Sequence, residues 1–353
     1  MKNIRFNILF LVFSLVSFLP HNAPAVDRQA GRLSINSIEE SPVVSLIAVG
    51  DIMLSRGVAG RIRRNNDPNY PFLKVKDYLK TGDIVFGNLE CPVTDGRKIV
   101  SKEMVFRADP ASADALKQAG FTVLSLANNH SPNFGKKGLK DTFSYLKEKN
   151  IKYVGAGIDG DEANSPAYIN MKGMSFAFLA YNDADVVPGS YEAAPKHAGT
   201  AFMRIDKMTE AVKKAAIEAR FVIVSMHSGN EYDYEPNEAQ KEFARAAIDA
   251  GAELVIGHHP HVIQPVEKYK EKLIFYSLGN FIFDQSEPKE TKEGVMVKFL
   301  FTKDALKSVE ATPVLIEHYS QPRLIEGEEG KQVTERLKIP VEEKDALSSG
   351  ALE

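Results

Sequence analysis

Three of the eight histidines in this 353-residue chain fall within four residues, in Gly257-His258-His259-Pro260-His261. Imidazoles crowded in this way are solvated, paired, or bound to a metal or an anion. Five further clusters carry related chemistry: Gly50-Asp51, Gly87-Asn88-Leu89-Glu90, Asn128-Asn129-His130, the lone His227, and Gly279-Asn280. Asp, Glu, Asn and neutral His are oxygen and nitrogen ligands suited to Mn, Fe, Zn or Mg, and the clusters hold no cysteine for a thiolate zinc site. Each residue also has an ordinary structural use. His130 alone would be a hydrogen-bonded loop residue, Asn128-Asn129 turn chemistry, and Asp51 a strand-end cap. As a set they point to a divalent-metal site in which the Asp51 carboxylate is the charge partner of the ion.

The elements that must position these residues are legible just before them. Apolar or β-branched runs predict strands at 43–49, 84–86, 123–126, 175–180, 221–226, 254–256 and 273–276, alternating with helical stretches. That alternation gives an α/β fold. In open α/β sheets the carboxyl ends of the strands form the ligand crevice, and six of these strands would aim polar tips at one place. Helix ends are also written in the sequence. Asp109-Pro110 supplies an N-cap acceptor and a preset first turn, and Gly120 closes a helix over 110–119. Asn237 and Gln240 form a capping box for a helix with the stripe Ala239, Phe243, Ala246, Ala247 and Ala250, ended by Gly251.

Composition narrows the function classes. Lys and Arg number 44 against 47 Asp and Glu, a net charge of −3, with no basic block to neutralise a phosphate backbone, which excludes nucleic acid as the expected partner. Lys2 and Arg5, the apolar run 6–19, and Ala23-Pro24-Ala25 have the layout of a secretory signal cleaved after Ala25. Export to a periplasmic or extracellular location is therefore expected, with an uncleaved membrane anchor as the alternative. Residues 26–41 read as a linker and 42–320 as the folded domain. Residues 321–353 read as a polar, peripheral tail. Cys91 is the single cysteine, so no internal disulfide forms, and packing is its default role.

The strings AVGDIML (48–54), FGNLECP (86–92), LANNH (126–130), SMHSGNEY (225–232), GHHPHVIQ (257–264) and FYSLGNFIFD (275–284) resemble, in this order, the poly-gamma-glutamate capsule-biosynthesis CapA family. That family is related to the calcineurin-like metallophosphoesterases. The resemblance implies a four-layer α/β architecture, a metallophosphoesterase-like β-sandwich of mixed sheets flanked by helices. It implies one or two divalent ions (Mn, Fe, Zn or Mg) held by Asp51, Asn88 or Glu90, Asn129, His227, and two of the 258–261 histidines, taken as His259 and His261. His130 would be the catalytic acid or donor. The implied partners are an anionic polymer such as poly-gamma-glutamate and membrane synthase subunits. Two functions follow from it: a metal-dependent hydrolase or transferase acting on an envelope polymer, or a non-catalytic accessory that binds the polymer during synthesis or export. This sequence departs from the relatives' pattern at Met53, Asn88, Asn133 and Ser228.

Overall fold

Alternate residues of strand β1 (Val44–Ile52) face two different cores. Val44, Leu46 and Ala48 enter one cluster, while Ile47 and Val49 enter another. A strand apolar on both faces belongs inside a sheet covered on both sides. The computed structural model, which describes residues 42–98 and 104–340, gives β1 that place. On one side of it lie the parallel strands β2 (Ile84–Leu89), β3 (Val123–Ser125) and β4 (Lys152–Val154). On the other side the antiparallel β14 (Glu293–Phe301), β15 (Leu306–Glu317) and β16 (Gln321–Leu324) extend the sheet, and the short β13 (Asn280–Ile282) pairs with the end of β1.

The second sheet repeats the plan. Its parallel centre is β7 (Met174–Asn182), β9 (Phe221–His227), β10 (Leu254–His258) and β12 (Lys272–Leu278). Antiparallel strands β6 (Ala167–Met171) and β11 (Ile263–Tyr269) close its two edges. A separate pair, β5 (Ala156–Gly157) with β8 (Gly199–Thr200), completes the strands. Phe176, Phe178, Ile223, Leu254 and Ile256 meet Val44, Leu46, Ile84 and Phe86 between the sheets. Phe86 stacks on Phe178 with centroids 5.7 Å apart. Residues of the opposite parity, Ala177, Leu179, Val222, Val224 and Val255, face the helices Ile205–Glu218 and Glu238–Ala250. The first sheet packs likewise on helices Ala111–Ala119 and Gly135–Glu148. Helix, sheet, sheet and helix make four layers, the expected sandwich.

Every expected strand is present, and most run further toward the polar clusters: β1 includes Asp51, β2 Asn88, and β9 His227. The helix expected over 110–119 spans Ala111–Ala119, with the Asp109 carboxylate accepting from the Ala111 N–H at 3.0 Å and Gly120 left-handed at φ 108°. The Asn237–Gln240 capping box is formed in both directions. Its helix is rotated from the expected stripe, so Ala239 is exposed while Gln240, Ala244 and Ile248 are buried. The polar reading of 321–353 needs correction. Residues 321–324 form β16, helix Gly327–Glu335 follows, and Ile325, Val333 and Leu337 pack into the core between the sheets. Charged residues dominate this stretch, so three spaced apolar side chains were too sparse a signal. The signal segment 1–25, the linker 26–41 and the end 341–353 lie outside the described residues.

Candidate metal centre

Register brings the clusters together. Asp51 pairs with Asn88 and with Asn280 in the first sheet, and Asn182, His227 and His258 are level in the second. Two glycines make this possible by close approach. A Cβ on Gly50 would sit 1.9 Å from the Gly279 carbonyl oxygen, and one on Gly257 2.0 Å from that of Tyr276. The β1–β2 register shifts between Ala48 and Asp51, a bulge that re-aims the Asp51 side chain as irregularities beside active sites do. His259 and His261 both have left-handed backbones, φ 99° and 59°.

Two buried triads result, Glu90 with His227 and His259, and Asp51 with Glu90 and His261, each with its ligand atoms within 4.8 Å of one another. Glu90 is common to both. Neither Glu90 carboxylate oxygen has a hydrogen-bond partner, and the Nδ1 of His259 is likewise buried without one. Buried polar atoms are almost always satisfied, so an orphaned carboxylate beside an orphaned imidazole nitrogen fits a cation. The donor set of two carboxylates and three imidazoles fits a divalent ion of the Mn, Fe or Zn kind.

The surrounding amides orient these ligands. Asn88 donates through Nδ2 to Asp51 Oδ1 at 2.8 Å, lies 3.2 Å from His227 Nδ1, and accepts at Oδ1 from Asn128 at 3.0 Å. Asn88, expected among the ligands, is thereby engaged as a brace, while Glu90 supplies the carboxylate. Asn129 Oδ1 lies 3.1 Å from His227 Nε2, at the edge of the first triad. His261 Nδ1 is 3.0 Å from Asn280 Oδ1 and 3.4 Å from Asp51 Oδ2. His258 turns away: its ring nitrogens face Ser225 Oγ at 3.3 Å and the Val49 carbonyl at 3.2 Å. Met53 is buried in the apolar core with its sulfur accepting from the Ser55 N–H at 3.1 Å, so it stands apart from the cluster.

His130 faces a different set of partners. Its Nδ1 lies 3.1 Å from Asn133 Oδ1, which also accepts the Phe106 N–H at 2.9 Å. That second bond identifies the atom as oxygen, so Nδ1 of His130 carries the proton and Nε2 the lone pair. Phe106 lies 3.8 Å from the His130 ring, and the Arg56 guanidinium lies 4.6 Å above Phe106 while pairing with Asp284. Asn133 and Arg56 are the functional neighbours that sequence reasoning did not assign. The buried Asn182 amide, unpartnered at both atoms, was missed as well.

Burial governs the charges. It lowers His227 and His258, and it brings His259 to about 3 and His130 to about 4 against a weaker lift from Asn133. Burial and the Asp51 charge push Glu90 well above the carboxylate range. Burial would raise Asp51 too, but the His261 hydrogen bond and the neighbouring imidazoles hold it low. His261 resists burial because the Glu90 and Asp51 carboxylates lift it to about 9. The metal-free cluster therefore holds a proton shared between Glu90 and His261, which a cation would displace. Cys91, beside Glu90, is pushed up to about 12 by burial and accepts the Leu54 N–H at 3.4 Å, as a packing residue.

This sandwich, with the candidate ligands at its strand ends, has a metallophosphoesterase-like fold. A putative 5'-nucleotidase from Staphylococcus aureus shares the fold with TM-score 0.50 and 14% identity, over 84% of this chain and 58% of that one. The chain belongs to the bacterial capsule synthesis protein PGA_cap family, whose model matches residues 45–285. It is 37% identical over 289 residues to the capsule biosynthesis protein CapA of Bacillus anthracis, covering 80% of this chain and 69% of that one. It is 36% identical over 296 residues to the PGA biosynthesis protein CapA of Bacillus subtilis (strain 168), with 83% and 76% covered.

Proposed function

We propose that this chain is an exported, metal-dependent hydrolase or transferase that works on an acidic capsule polymer of the poly-gamma-glutamate kind. The observation that carries the reading is Glu90, a buried carboxylate with no hydrogen-bond partner at the junction of two triads. Asp51, Glu90, His227, His259 and His261 would hold the ion, with Asn129 at its edge. A bound divalent ion supplies Lewis-acid polarisation and lowers the pKa of water. Asn88 and Asn280 keep Asp51 and His261 in position, and the surrounding core excludes bulk water. His130, fixed by Asn133, presents Nε2 as a proton acceptor, and the proton it takes from the attacking hydroxyl is the one it gives, as the acid, to the leaving group.

The relatives' names place them in capsule and PGA biosynthesis, and the Lys2, Arg5 and 6–19 layout supports export. A polymer-binding accessory without catalysis is the second reading, favoured by the apolar packing of Met53, a position at which this sequence departs from the relatives' pattern. Metal analysis of the purified mature protein, followed by turnover of a generic phosphodiester with added manganese, tests the first reading. Bound metal without turnover of any phosphoester or polyglutamate bond would leave the accessory role.

A further inference from the structure

The segments that adjoin the two partners of His130, Phe106 and Asn133, carry a surplus of positive charge. On the His130 side, the segments around 95–98, 107 and 136–141 carry six cations against the carboxylates of Asp95 and Asp141, in a chain whose net charge is −3. Lys137 alone takes up both carboxylates, at 2.9 and 2.6 Å. Among the described residues, the exposed side chains of Arg97, Lys98, Lys136 and Lys140 have no ion pair or hydrogen bond. Lys98, Lys136 and Lys137 line a cavity of about 260 Å³ whose floor includes Phe134. The segment after His227 is acidic instead: Glu231, Asp233 and Glu235 are exposed, Glu235 pairs with Lys338 and Asp233 accepts from Asn230, and the Tyr232 N–H donates to the Pro260 carbonyl at 2.8 Å.

Connection to the site is direct. Phe134 follows Asn133, the partner of His130, and Arg107 follows Phe106, the ring stacked on His130. Clustered like charges repel one another, so a face of unpaired cations beside a reactive ring is favourable when an anion covers it. One exposed contact contributes little. A chain of carboxylates that meets several cations at once gains both steering and orientation.

We infer that an acidic polymer reaches the metal centre across the basic face of Arg97, Lys98, Arg107, Lys136 and Lys140 rather than along the acidic 231–235 segment. This rests on the reading that the chain acts on a polycarboxylate, and it adds the route and the side chains that grip it.

The test is fluorescence anisotropy of a labelled poly-gamma-glutamate oligomer with the manganese-loaded mature chain at low salt. Lys98→Glu combined with Lys136→Glu should weaken binding about 10-fold or more, with metal content and Tm unchanged. Lys213→Glu with Lys303→Glu changes the net charge equally at exposed positions elsewhere and should change binding less than about 2-fold. Equal losses in both double variants would overturn the route and leave polymer binding standing. Tighter capture of a polyphosphate of matched charge would overturn the polycarboxylate assignment. No binding by wild type at low salt would remove the capsule-polymer reading and the route with it.

Discussion

His227 Nε2 lies 3.5 Å from Glu90 Oε1 in a space closed to solvent, and no hydrogen bond satisfies that carboxylate. Replacing the charge should therefore separate metal binding from folding. Glu90→Gln is expected to weaken divalent-metal affinity by more than the roughly 10–100-fold lost when a ligand's supporting partner is removed. Glu90 is raised above its ordinary value, so the folded metal-free state binds more protons than the unfolded one, and its stability falls as pH rises past the ordinary carboxylate range. Glu90→Gln removes that loss, and the metal-free Tm at pH 8 should equal or exceed wild type. A clearly lower metal-free Tm would show that Glu90 is held by contacts rather than reserved for a cation.

The buried histidines of the site divide by role. His227→Ala and His261→Ala should each lower metal stoichiometry with modest effect on the metal-free fold. His258→Ala should do the reverse, costing about 1–3 kcal/mol because it strands the partners of a buried hydrogen-bonded ring, with metal content near wild type. Denaturant unfolding and metal analysis on the three variants decide the matter. Metal loss in His258→Ala alone would reverse the assignment.

Much of this arrangement was legible beforehand, for a physical reason. Parallel strands buried on both faces read as unbroken apolar runs, so β1, β9 and β10 and their polar tips stood out. The antiparallel extension did not, because β15 alternates exposed and half-buried residues along most of its length. Nor could spacing say which of three adjacent histidines face the ion. That depends on the left-handed turns at His259 and His261, which tertiary contacts fix and residue spacing does not encode.

Proton storage on the cluster makes metal uptake pH-dependent. Glu90 and His261 are both raised, His261 to about 9, and ligands must shed protons to bind a cation. Manganese affinity should rise steadily from pH 6 to pH 8.5, with proton release visible by calorimetry in buffers of different ionisation enthalpy. Affinity that is flat across this range would mean that the triads take up the ion without deprotonation.

Export has its own check. If Lys2, Arg5 and the 6–19 run act as a cleaved signal, the native protein should begin at Val26 by N-terminal sequencing and fractionate outside the cytoplasm. A chain that keeps Met1 or Lys2 and sediments with the inner membrane would replace cleavage with anchoring.

Asn129 and His130 are adjacent yet meet different partners, Asn129 facing His227 and His130 facing Asn133 and Phe106. The Asn128 side chain closes a turn here by accepting the His130 and Ser131 N–H groups, and the two adjacent side chains leave that turn toward different partners, so one of the pair can touch the ion while the other addresses the substrate. His130→Ala should leave metal content near wild type and lower turnover about 10²–10⁴-fold, the usual worth of a positioned acid or base. Asn133→Asp supplies a sharper test, because a carboxylate at that position favours the imidazolium that burial now holds down to about 4. The acid limb of the pH–rate profile should then move to higher pH, since more of His130 is protonated and unable to accept. A profile unmoved in Asn133→Asp, together with metal loss in His130→Ala, would place His130 on the ion and Asn129 toward the substrate.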